Sequence, residues 1–279
     1  MLVKPLRGLQ STGSRAATSV CHSTRSRAKP PTSPPAPLPT IPSIVHEDAR
    51  FLVIDKPAGV ALQGQYGSPP RKQWDDLLAA VRARDGCEKA APAHRLDKAT
   101  SGCLLMPKTA LHASRIATQL QRHEVQREYL AVVHGRMKTG YQGDIDVRLT
   151  MDDDRVRVCQ DGTGVEARTL WECLASSTSG FSLLSLKPQT GRKHQLRVHC
   201  ADVLRAPIVG DFKLAPTAPH VAALSELGLP LDTVLLHARR LSFYAWEKSG
   251  KRTTITTEAP LPHTFQRFCK AYKLRLPPS

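Results

Sequence analysis

The sequence predicts an α+β fold with a mixed, largely antiparallel central sheet flanked by helices and loops. Three observations predict it. Short apolar or alternating runs of strand type recur along the chain, several joined by turn residues. Only three stretches repeat apolar residues at helical spacing. The order of the two kinds lacks the regular alternation of a parallel doubly wound sheet, and no internal repeat is visible. A chain of 279 residues then accommodates one large domain plus a tail.

Residues 1–46 contain no Asp or Glu but carry Lys4, Arg7, Arg15, Arg25, Arg27 and Lys29 among Ser, Thr and Ala, the composition of a transit peptide. Seven prolines between Pro30 and Pro42 make the next stretch extended or disordered, because proline lacks the backbone donor and blocks a helix. The folded domain is therefore placed at 44–279, behind a basic, proline-rich extension of residues 1–43. The extension points to mitochondrial import. A basic tail that stays in the cytoplasm or nucleus and holds a polyanion is the other reading.

Residues 44–60 hold two apolar runs split by a polar turn and read as a hairpin. Residues 64–72 read as a mobile polar surface loop whose Arg71 and Lys72 are able to touch phosphate. Trp74, Leu77, Leu78 and Val81 recur at helical spacing, so a helix is expected over 74–84 with Asp75 and Asp76 in its first turn. An apolar strand follows at 103–106. A second helix at 110–123 carries Leu111, Ile116, Ala117 and Leu120, with Arg115 and Arg122 on its basic outer side. Strands are expected at 129–133 and 181–186, with a hairpin or meander at 144–173 between them. Asp152, Asp153 and Asp154 form a solvated turn there, since three adjacent acids cannot all face one magnesium ion. Two further strands at 235–243 and 252–257 and a closing helix at 262–272, begun by proline, complete the domain.

The chain has 40 basic against 24 acidic residues, a formal charge of +16. Removing the six cations of the tail leaves +10 on residues 47–279, so the folded part itself favours a polyanionic partner. No apolar run approaches the roughly 18 residues of a spanning helix. Seven cysteines without a Cys-x-x-Cys pair suit neither a disulfide framework nor a zinc ribbon. His194, His199 and Cys200 are poorly spaced for ligands on one helix face, and no metal site is expected.

The stretch 94–102, His-Arg-Leu-Asp-Lys-Ala-Thr-Ser-Gly, sets Asp97 between Arg95 and Lys98 at the entrance of an apolar strand. Taken alone, Asp97 reads as a turn acid paired with Arg95. Residues 189–199 add Arg192, Lys193, His194 and Arg197 after a glycine turn, a dense positive field at a strand end. With Val53 to Gly59, the Glu128-Tyr129-Leu130-Ala131 segment, Pro207 to Asp211 and Leu236-His237-Ala238, these segments occur in an order that resembles the RluA-type family of RNA pseudouridine synthases over most of residues 44–262. Two positions depart from the family pattern: Pro107 stands before Lys108 where a small residue is usual, and Gln126 lies in a normally basic approach to Tyr129. The chain before residue 44 is too short and proline-rich to be the family's separate RNA-binding domain.

The resemblance implies the pseudouridine synthase fold and the isomerisation of uridine in RNA: the base is detached at its glycosidic nitrogen, turned, and rejoined through carbon 5, with neither cofactor nor metal. It implies catalytic roles for Asp97 as nucleophile or base, Tyr129 as the ring that stacks on uracil and moves a proton, and Arg197 as a strand-borne guanidinium giving two donors to Asp97. RNA contacts are expected from His94, Arg95, Lys56, Arg192, Lys193, His194, Arg115 and Arg122, with a monomer as the working unit. Arg95 is the rival partner of Asp97. Two other readings remain open: an inactive RNA-binding or ribosome-assembly protein on this fold, and a nucleosidase, which normally needs a second acid or an activated water.

Overall fold

The computed structural model describes residues 42–278 apart from 65–66, 153–154, 160, 215–217 and 248. The expected tail lies outside these residues except for its last two. Among the described residues ten strands form one sheet, in the order β1 (Ile44–Glu47), β2 (Phe51–Lys56), β3 (Ser101–Pro107), β9 (Leu236–Trp246), β4 (Gln126–His134), β8 (Phe181–Pro188), β7 (Val165–Ser176), β5 (Gln142–Asp152) and β6 (Arg155–Val158), with β10 (Arg252–Glu258) paired to β9. Each pairing is antiparallel except β3 with β9. This is the mixed, largely antiparallel sheet expected.

Helices cover the sheet where its strands are apolar on both faces. Alternate residues of β2 and β3 point opposite ways: Leu52, Ile54, Leu104 and Met106 pack with Trp74, Leu77 and Val81 of α1 (Pro69–Arg82). Phe51, Val53, Cys103 and Leu105 pack with Ile116 of α2 (Ala110–Gln121). Each such buried side chain contributes about 1.5–3 kcal/mol. Farther along, Leu130, Val132 and Leu183 meet Phe265, Phe268 and Cys269 of a C-terminal helix, His263–Ala271.

The parallel contact depends on one glycine. Ser101 and Gly102 pair with His237 and Ala238. Gly102 has φ +111°, and a Cβ on it would lie 2.2 Å from the Ala238 carbonyl oxygen. Only glycine admits the two backbones at this approach. Beside it, Ser101 Oγ lies 2.9 Å from His237 Nδ1 in the interior.

Several local expectations change. The first helix begins at Pro69, five residues earlier than the apolar spacing indicates, because proline suits the first turn of a helix. Arg71 and Lys72 are thus helical and pair with Asp75 (2.9 Å) and Asp76 (3.0 Å) one turn on, instead of occupying a loop. Leu111 is 58% exposed and leaves the apolar side of α2 to Ile116 and its neighbours. Arg197 is not on a strand. It lies in a four-residue helix, α3 (Gln195–Val198), which continues into a π turn, His199–Val203.

Candidate active site

The loop before β3 carries Asp97, and it is fastened at both ends. Lys56, 0% exposed at the end of β2, points its Nζ at the carbonyl oxygens of Pro57 (2.8 Å), Val60 (3.1 Å) and Lys98 (3.4 Å). Gly59 N–H donates to the same Lys98 oxygen at 2.8 Å. On the other side His94 Nε2 accepts from Leu105 N–H at 3.2 Å, a role that needs a neutral ring. Burial keeps it neutral by pulling its pKa down to about 4. Lys56 and His94 therefore hold the Asp97 loop, and Lys56 offers no surface to phosphate.

Asp97 opens into a cavity of about 530 Å³, the size of a small-ligand site. Among the described residues lining it Asp97 is the only acid, and Arg95, Arg127, Arg192 and Arg197 are four guanidinium groups around it. Its side chain is 16% exposed. Arg197 Nη1 lies 3.7 Å from Asp97 Oδ2, and Arg95 Nη2 lies 4.0 Å from Oδ1, so the distant arginine is the nearer partner.

The bidentate bond expected between Arg197 and Asp97 goes elsewhere. Arg197 Nε and Nη2 donate to the two oxygens of Asp211 at 2.7 and 2.6 Å. Asp211 is only 2% exposed, and the pair is buried. Two short charge-assisted bonds fix the plane of the guanidinium and leave Nη1 for Asp97. Asp211 belongs to the 207–211 segment singled out in the sequence, but nothing in that segment indicates its partner.

Tyr129 lines the same cavity from β4 and is 7% exposed. Burial raises its phenol pKa, and the charge of Asp97 raises it further, so the hydroxyl keeps its proton at neutral pH. His194 and Arg192 also line the cavity. His194 sits at φ +53° where α3 begins, and burial lowers its pKa against the opposing pull of Asp97. Arg192 Nε donates to the Glu166 carbonyl at 2.8 Å.

Gln195 and Arg127, unassigned from the sequence, build the wall. The Gln195 amide oxygen accepts from Thr190 Oγ1 (2.8 Å) and Arg192 N–H (3.0 Å), while its nitrogen donates to Arg168 O (3.0 Å) and Thr169 Oγ1 (2.9 Å). Arg127 Nη2 donates to the carbonyl of Thr190 at 3.1 Å. Three expected RNA contacts lie away from the cavity. Lys193 Nζ is 3.8 Å from Met151 Sδ, Arg115 lies over the Trp246 ring at 5.1 Å, and Arg122 is exposed at the C-cap of α2.

A family model described as RNA pseudouridylate synthase matches residues 50–202. The mitochondrial pseudouridylate synthase RPUSD4 of Xenopus tropicalis is 32% identical over 269 residues, covering 84% of this chain and 81% of that protein. The dual-specificity RNA pseudouridine synthase RluA of Pasteurella multocida is 36% identical over 211 residues, covering 74% and 89%. The structure of human RNA pseudouridylate synthase domain containing 4 superposes with a TM-score of 0.66 at 27% identity, over 84% of this chain and 94% of that one. The chain belongs to the RluA-type RNA pseudouridine synthases, isomerases that act on RNA.

Proposed function

We propose that this synthase isomerises specific uridines with Asp97 as its reacting group, acting as nucleophile or base. The observation that carries this is the solitary acid: Asp97 alone among the described lining residues of the cavity is a carboxylate, held partly buried with Arg197 at 3.7 Å. In the reaction the bond from the sugar carbon to uracil N1 breaks, a bond from that carbon to C5 forms, and the proton displaced from C5 is balanced by one gained at N1. The base must first leave the stack, at a cost of a few kcal/mol, and the surrounding arginines offset it through phosphate contacts. Tyr129, protonated and buried, suits a ring that stacks on the detached uracil and relays a proton. Arg197, tied to Asp211, positions the Asp97 carboxylate.

The lack of a second carboxylate among the described lining residues disfavours the nucleosidase reading. The acid-free, arginine-bearing residues 1–46 and the mitochondrial names of the Xenopus relative and of RNA pseudouridine synthase 4 from Arabidopsis thaliana support a mitochondrial site of action. A fluorescent fusion of residues 1–46 should enter mitochondria; cytosolic retention would remove that assignment.

The test of the reaction is Asp97→Asn. It should abolish pseudouridine formation on RNA isolated from cells lacking the gene, with RNA affinity near that of the parent. Substantial residual turnover would sink the role of Asp97. Pseudouridine mapping of total and organelle RNA with and without the gene identifies the uridines concerned.

A further inference from the structure

The catalytic cavity is joined at its rim to two further depressions, of about 590 and 860 Å³, and the three meet at one side chain. His123 lines all of them. Thr190 is shared by the cavity and the first depression, and Arg127 and Pro188 by the cavity and the second. Gln189 is common to the two depressions. A strand that runs from the cavity into either depression passes His123. Arg148 and Arg168 line one route, and Lys187 and Arg240 the other.

His123 is also in an unusual place for an imidazole. It follows the C-cap of α2 at φ +57°. Its N–H donates to Leu120 O at 3.2 Å, and the next N–H, of Glu124, donates to Gln119 O at 2.9 Å. Those two bonds are the Schellman closure of a helix, whose left-handed residue is most often glycine. The fold is served as well or better by a residue without a Cβ. The ring is exposed and, among the described residues, makes no hydrogen bond, ion pair or ring contact. Nothing in the packing explains a histidine here.

Building on the assignment of this cavity as the uridine site, we propose that the His123 imidazole is the stacking rest for the nucleobase immediately adjacent to the target uridine. A planar ring at the cavity mouth offers a face to any neighbouring base once the target has left the stack, and such stacking tolerates different bases. His123 is then a substrate-positioning residue, separate from the groups that carry the chemistry.

The experiment uses the full chain and a synthetic RNA pool with one uridine in a single-stranded loop and random neighbours on both sides. The best-modified sequence is resynthesised with an abasic nucleotide at each neighbouring position in turn. With the parent enzyme one abasic neighbour should lower kcat/KM about fivefold or more, from the scale of one base stacked on an aromatic side chain. His123→Gly should show a similar loss on intact RNA and no further loss on that abasic RNA, with a melting temperature equal to or above the parent. His123→Asn, which tolerates the left-handed backbone and keeps polar atoms but no ring, should behave like His123→Gly. Additive losses, full activity of His123→Asn, or a lowered melting temperature with equal losses on every RNA would each overturn the stacking role. A parent enzyme that forms no pseudouridine from any sequence in the pool would instead overturn the reading of the cavity.

Discussion

Replacing Asp211 with Asn removes the charge that holds Arg197 while leaving the shape of the side chain. Arg197 and Asp211 side chains are 9% and 2% exposed, and two bonds of 2.7 and 2.6 Å join them. Breaking a buried pair from one side typically costs about 3–5 kcal/mol, because the remaining charge stays desolvated. Here Asp97, 3.7 Å from Nη1, compensates in part, so the lower end, about 3 kcal/mol, is expected. On the proposed role of Asp97 the same compensation harms the reaction: a released guanidinium can close on Asp97 and tie up its carboxylate. Asp211→Asn should therefore lower the urea midpoint by about 1 M or more and kcat by at least about tenfold, with a smaller effect on RNA affinity. Urea unfolding followed by single-turnover pseudouridine assays read the two effects. The double variant Arg197→Met/Asp211→Leu should regain stability relative to Asp211→Asn yet stay inactive. Asp211→Asn with parental stability and rate would refute the reasoning.

Three further variants test the supports of the site. Lys56→Met strands the buried carbonyl of Val60, worth about 1–3 kcal/mol when unsatisfied, and removes the tie to Pro57 and Lys98, so it should lower stability and kcat while leaving the salt slope of RNA binding unchanged. A salt slope reduced by about one unit would return Lys56 to the RNA interface. Gly102→Ala places a Cβ 2.2 Å from a backbone oxygen at a positive φ and should cost more than about 3 kcal/mol, read as loss of soluble folded protein; a normal melting curve would contradict it. His199, fully buried with neither ring nitrogen bonded among the described residues, is held at about 4 by burial against an ordinary 6.5. The unfolded chain binds the proton between those values and the folded chain does not, so stability falls as pH drops from 6.5 towards 4. His199→Leu should remove about 2 kcal/mol of that loss at pH 5, measured as the change in its stability difference from the parent between pH 7 and pH 5.

Strands were legible because their side chains alternate over two faces, and β2 and β3 were legible as apolar runs because helices cover both of their faces. The Asp97 loop was legible through its ordered companions along the chain. What the sequence hid was tertiary. Pro69 reads equally as a loop or as the first turn of a helix, and the polar, Gly67- and Pro70-bearing stretch around it favours the loop that the structure replaces with helix. Lys56 looked like a phosphate contact because nothing local says that three carbonyls will surround it. Arg197 looked strand-borne because a four-residue helix is too short to impose a period.

The division of Arg197 between two acids lets Asp97, the proposed reacting group, be partly buried and still open to the cavity. A guanidinium bonded twice to Asp97 would orient it well but occupy both of its oxygens. Without Arg197, Asp97 at 16% exposure would keep only Arg95, at 4.0 Å, as an ion-pair partner among the described residues. With Asp211 taking Nε and Nη2, the third nitrogen stands 3.7 Å from Asp97, within ion-pair reach and too far for a short hydrogen bond. The helical turn makes this geometry available. Starting from the left-handed His194, α3 carries Arg197 inward on a buried face, where its long side chain spans from Asp211 to the cavity. A strand in the same place would send alternate residues to opposite faces and could not present His194, Gln195 and Arg197 to one cavity together.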